Sequence, residues 1–229
     1  MNDDLRSNGY IPTTSPYSDA ITCDAAVFNV TGNDAIVDWV WVELRDATNN
    51  TTISASTSAL LQRDGDVVDV DGTSPVLINV TGKNYFVVVN HRNHLGAMSL
   101  NTIALSGTAA TVDFTNGSVS TFGTNAQKDM GSGVFGLWAG DLNGDNVIRF
   151  AGPNNDTNIL KTTIVNHPSN TTGSVFFPYN AYDNFDLDLN GQVRFGGPGN
   201  DSNILKSIIS NFPGNTTGSV FYPVNQQLP

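Results

Sequence analysis

The chain has one cysteine, Cys23, among 229 residues, so no internal disulfide can staple it. Cys23 is expected as a small buried apolar residue. Basic residues are scarce too: 10 against 21 acidic ones, a formal charge of -11. That balance lacks the basic footprint nucleic acid requires and disfavours an anionic membrane surface. No stretch approaches the ~20 apolar residues of a membrane span, so no membrane insertion is expected. Three histidines and one cysteine leave few ligands for a nitrogen–sulfur metal centre. There is no nucleophile elbow, no HExxH and no phosphate loop, so the expectation is a protein that is not an enzyme. Residues 2–20 also lack the apolar core of a secretory leader. An exported protein would therefore carry this stretch as a fragment or a mature form behind an added Met1.

What is present favours turns and strands. Asn, Thr, Ser, Gly and Asp are abundant, and they compete with helical backbone bonding. DAIVDWVWVELRDA, VVDVDG, PVLINVTG, NYFVVVNH and ATVDF are short apolar runs divided by Gly, Asn and Asp. The spacing predicts a mainly β protein, with an antiparallel β-sandwich over residues 1–137. In the stretch 36–44, Trp39 and Trp41 fall on one strand face, and Val40, Val42 and Leu44 fall on the other. Both faces are apolar, which predicts a central strand with the two tryptophans in the core.

Residues 138–229 repeat themselves. FAGPNNDTNILK at 150–161 returns as FGGPGNDSNILK at 195–206, and NTTGSVFFP at 170–178 returns as NTTGSVFYP at 215–223. Both offsets are 45 without a gap, giving tandem units 138–182 and 183–229. In each unit a loop precedes a helix of about three turns. Ile159, Leu160 and Ile164 share one face of the first, and Pro168 stops it.

The loops are rich in oxygen donors. Asp141, Asn143 and Asp145 alternate as calcium ligands do, with Val147 placed to supply a backbone carbonyl. The second unit has Asp186, Asp188, Asn190 and Gln192 at the same places. Position six needs positive φ and holds Asn146 or Gly191. The closing carboxylates, Asp156 and Asp201, arrive four residues late, after FAGPN or FGGPG, at each helix start. A single acidic stretch reads as a polar turn, but two in register predict two Ca2+ ions. Magnesium fits less well, since it demands a tighter octahedron. Ile148 and Val193, at position eight, are expected to pair as a short strand between the loops.

A DxNxDGxV-type loop before a D-x-x-x-L-K helix, present twice, resembles dockerin repeats, although the long loop and the NTTGSVF segments depart from that family. YIPTTSPYSDA, IVDWVWVELRDA, LLQRDGDVVDVDGTSPV, YFVVVNHRNHLGAMS, KDMGSGVFGLWAGDLNGD and QQLP together resemble the C-terminal region of large secreted surface proteins of Bacteroidetes-type bacteria, often labelled hemagglutinin- or adhesin-like. This resemblance implies an extracellular, cell-surface location, a larger parent polypeptide as partner, and handling by type IX secretion.

Three clusters remain. His91 and His94 read as structuring a loop, with a binding site as the alternative. Asp64, Asp66, Asp69 and Asp71 read as a hairpin turn, with a third cation site as the alternative. Trp138 is expected to seal the joint between the two parts. The expected function is a calcium-stabilised structural module for presentation, secretion or anchoring of a surface protein. The alternative is a lectin-like or adhesin module binding a glycan through the β-sandwich.

Overall fold

A computed structural model describes residues 1–229. The protein is mainly β, 26% strand against 13% helix, and every strand pairing is antiparallel. After α1 (Asp4–Ser7) and a 3-10 turn (Ala25–Asn29) come β1 (Ile36–Asp46), β2 (Ile53–Gln62), β3 (Val67–Val68), β4 (Asn84–His91), β5 (His94–Met98) and β6 (Ile103–Ala104). A small hairpin follows, β7 (Lys128–Gly131) with β8 (Val134–Gly136), and then β9 (Trp138–Ala139). One seven-stranded sheet runs β3-β2-β1-β4-β5-β9, with β6 added to β4.

β1 is central, as its two apolar faces require. Trp39 joins a buried cluster with Leu5, Ile11, Val27 and Leu60, so the N-terminal segment covers that face. Its indole Nε1 donates to the carbonyl of Pro12 at 2.9 Å, which satisfies the polar end of a fully buried ring. Val40 and Val42 face the other way, against Val76 and Ile78. Cys23 is buried, as expected. Trp41 departs from expectation: it is only half-buried, with Tyr17 tilted over it at 5.6 Å between ring centroids.

The repeated region supplies β10 (Val147–Ile148), α2 (Asp156–Val165), β11 (Tyr179–Asn180), β12 (Gln192–Val193), α3 (Asp201–Ser210) and β13 (Val224–Asn225). Asn155 and Asn200 cap the two helices, each accepting from the N–H three residues on. Leu160 and Ile164 of α2 meet Leu205 and Ile209 of α3 in the largest buried cluster. Trp138 and Leu95 of the main sheet belong to the same cluster, so Trp138 does join the two parts.

Ile148 and Val193 do not pair with each other. β10 pairs with β13, and β12 pairs with β11. Tyr179–Asn180 and Val224–Asn225 are equivalent positions at the ends of the two copies, so each loop strand is completed by the closing segment of the other copy. One further bond repeats the exchange: Gln226 N–H donates to Asn146 O at 2.8 Å, and Ala181 N–H to Gly191 O at 3.2 Å. The physical reason is length. A two-residue strand cannot hold a sheet by itself, and each loop strand finds its partner where the shared core brings the opposite copy close.

Candidate metal centre

Each loop folds its carboxylates inward through its own backbone. In the second, Asp186 accepts the N–H groups of Asn190 at 3.2 Å and Gly191 at 2.7 Å. Asp201, the first residue of α3, accepts from Leu187 at 2.8 Å and Arg194 at 2.7 Å. The inserted FGGPG segment therefore bulges outward and returns a carboxylate to both ends of the loop. Asp188 is exposed and completes a triad. Asp186, Asp188 and Asp201 each offer an oxygen, all within 4.8 Å of one another. Such an acidic triad can bind a metal ion.

The first loop repeats these bonds in register. Asp141 accepts from Asp145 at 3.1 Å and Asn146 at 3.0 Å, while Asp156 accepts from Leu142 at 2.9 Å and Arg149 at 2.8 Å. Asn143 stands where the second loop has Asp188, so this loop has one carboxylate fewer at that corner. Asp145 accepts from the Val147 N–H and pairs with the Arg149 guanidinium at 2.6 Å. Its counterpart Asn190 accepts from the Gln192 N–H at 2.7 Å. Position five thus closes the turn in both loops, and Val147 and Gln192 open β10 and β12.

Backbone conformation explains the position-six residues. Asn146 has φ 65° and Gly191 φ 81°. A Cβ at residue 191 would also press on the Tyr10 ring at 2.9 Å, so glycine fits there for a second reason. Leu189 has φ 58°, a left-handed conformation that is unfavourable for a leucine. Its side chain packs with the N-terminal cluster around Trp39, an apolar contact that offsets the strain.

Burial sets the electrostatics. Taking Asp186 and Asp201 out of water pushes each up to about 7. Backbone N–H bonds oppose the shift, and neighbouring carboxylates add to it. Asp156 is pushed up to about 6, and Asp141 is also raised, again chiefly by burial. Carboxyls crowded in this way favour a proton or a cation.

The second loop is also gripped from outside. β4 and β5 form a two-residue hairpin at Arg92–Asn93, so His91 and His94 face each other across it, ring edge to ring face at 4.6 Å. Asn93 is fully buried and donates to the carbonyls of Asn184 at 2.9 Å and Asp186 at 2.8 Å. Arg92 donates to the Asp183 carbonyl and, at 3.1 Å, to Asp38, and it lies over the Tyr182 ring at 4.4 Å. Asp38 also receives His91 Nε2 at 3.0 Å and the Tyr182 hydroxyl at 2.6 Å. Burial would raise the Asp38 carboxyl, but Arg92 and His91 outweigh it and hold it well below the ordinary range.

HRNH thus does structure a loop, and the loop it structures is the candidate metal loop of the second copy. The sequence carried one signal for this network. Asp38 lies inside the apolar stretch 36–42 of β1, and a buried carboxylate there needs a cationic partner. The acidic residues 64–71 serve turns: Asp64 accepts from the Asp66 N–H, and Asp71 from the N–H groups of Thr73 and Ser74.

No family model, curated protein or solved structure matches the chain.

Proposed function

We propose that the chain is a non-enzymatic, calcium-stabilised module at the C-terminal end of a secreted surface protein, serving its presentation, secretion or anchoring. The observation that carries this reading is the triad of Asp186, Asp188 and Asp201, two of them buried and all within 4.8 Å. Unneutralised, those charges repel one another in a poorly solvated site. A divalent cation would offset the repulsion and lock loop to helix. Calcium is the ion of choice because every donor is an oxygen and calcium accepts irregular oxygen geometries that magnesium does not. The matched bonds of Asp141 and Asp156 support a second ion, hence a duplicated calcium module. The separate apolar clusters on the two faces of β1 support a layered, sandwich-type body beside it. Extracellular sites commonly have Kd of ~10⁻⁴–10⁻³ M, so loading would follow export and give folding a direction.

Thermal melting with calcium and with chelator tests the metal. Stabilisation by calcium with a stoichiometry of two is expected, and equal melting temperatures would remove the proposal. Deleting the module from its parent tests the role: export and surface attachment are expected to fail, and normal display without it would exclude that role.

A further inference from the structure

We propose a saccharide-binding cleft between the main sheet and the first metal loop, specific for a neutral sugar. The cleft has a volume of about 320 Å³, at the lower end of the range of small-molecule sites. Its residues come from segments far apart in sequence. Tyr17 belongs to the N-terminal segment, Trp41, Glu43 and Arg45 to β1, Asn90 to β4, Asp141 to the first loop and Gln226 to the C-terminal segment.

Three features select a sugar. The first is an aromatic wall. Trp41 is half-buried and flanked by Tyr17, whereas Trp39 and Trp138 are enclosed in the core at 0% and 3% exposure. A half-exposed indole in a cleft is an apolar surface on which the C–H face of a sugar ring can lie.

The second is a pre-set polar floor. Trp41, Glu43 and Arg45 are alternate residues of β1 and share a face. Glu43 accepts Arg45 Nε at 2.9 Å and Asn90 Nδ2 at 3.1 Å, so its carboxylate is fixed before any ligand arrives. Gly96 clears the space beneath, since a Cβ there would lie 2.0 Å from Asn90 Oδ1. Arg45 Nη2, Gln226 Nε2 and His94 Nε2 have no partner within the protein, although other atoms of the same side chains are bonded. Burial and the neighbouring His91 and Arg92 push His94 well down, so its imidazole is neutral. His94 Nδ1 lies 2.7 Å from Asn93 Oδ1 and 2.9 Å from His91 Nδ1, and the tautomer this network selects sets whether Nε2 gives or takes a hydrogen bond. Two free donors beside a neutral imidazole nitrogen and the fixed Glu43 carboxylate suit hydroxyl groups, which both give and take hydrogen bonds.

The third is charge. Arg45 is balanced by Glu43, and Arg92 by Asp38, which leaves no net positive field for an anionic ligand.

Trp41 is the only half-exposed tryptophan, so indole fluorescence reports on this cleft. The full chain is titrated, with and without calcium, with glucose, galactose, mannose, N-acetylglucosamine and their common disaccharides up to about 50 mM. Binding is also followed by saturation-transfer NMR. At least one neutral saccharide is expected to bind saturably, with Kd of about 1 mM. Trp41→Ala is expected to weaken it about tenfold or more, and Trp41→Tyr, which keeps a flat ring, to stay within about threefold. Gln226→Ala, on an unpaired donor, is expected to weaken it several-fold. No binding by any of these sugars overturns the proposal, and so does undiminished binding by a folded Trp41→Ala. Binding with chelator present upholds it independently of the metal reading.

Discussion

Asn170 and Asn215 show how a residue type misleads when it is read without its surroundings. Both lie in N-T-T triplets, the pattern of a surface glycan acceptor, yet both are buried. Asn215 Nδ2 donates to Ile209 O at 2.7 Å and Ser219 O at 2.9 Å, and its Oδ1 accepts the Ser219 N–H at 3.0 Å. Asn170 makes the matching bonds to Ile164 and Ser174. Each asparagine thus ties a helix end to the segment that follows. Asn215→Ala is expected to cost at least about 2 kcal/mol in denaturant unfolding, since each buried group left unpaired costs about 1–3 kcal/mol. Exposed Thr217→Ala, which destroys the same triplet, is expected to cost under about 0.5 kcal/mol. The loop turns were easier to foresee than these anchors, because alternating oxygens and the residue at position six are local requirements. Leu189 was illegible for the opposite reason: its left-handed backbone is tolerated only through a contact with the distant N-terminal cluster.

Among elements, the repeat was readable at the level of loops and helices but not of strand partners. Cap, helix face and helix stop all lie within a dozen residues of one another. The exchange of partners between copies depends on how two helices pack, which periodicity does not encode. Likewise β9 continues the main sheet past residue 137, where the repeat alone would place a boundary. Ending the chain after Pro223 removes β13 and is expected to strip β10 of its partner. The first loop should then bind calcium at least about tenfold more weakly. The second loop, whose strand pairs with β11, should keep its affinity. Calorimetric titration of the shortened chain separates the two. At the hairpin, Asp38→Asn leaves Arg92 buried without its counter-charge and is expected to cost about 3–5 kcal/mol, read from denaturant midpoints. Charge patterning alone did not mark Arg92 and Asn93 as its partners, because the hairpin turn that presents them docks on a loop 91 residues away.

For the molecule as a whole, the buried carboxyls of the acidic loops make stability depend on protons, and on metal if the proposed sites are filled. Asp186 and Asp201 hold protons up to about 7 when folded, against roughly 3.9 for an unfolded aspartate. Between about pH 4 and 7 these two groups therefore bind more protons in the folded metal-free chain than in the unfolded one. Asp38, held low by Arg92 and His91, loses its contribution only at strongly acid pH, whereas the stability these two groups contribute is full below about pH 4 and falls away as pH rises to about 7. Calcium at saturating concentration is expected to remove that fall, as melting curves across the range would show. Calcium uptake at pH 6 should release protons, and at pH 8 almost none, measurable by calorimetry in buffers of different ionisation enthalpy. The mainly β character was plain from composition. The arrangement around one central sheet was not, since alternation gives the faces of a strand without the segments that cover them.

The crossed pairing has a further consequence. A solitary copy, residues 138–182, would carry both a bare loop edge and a spare closing segment. Two such peptides meeting about a two-fold axis could satisfy each other, as the fused halves do. Gel filtration of that peptide with calcium is expected to give a homodimer, the assembly from which a head-to-tail gene fusion would yield today's single chain.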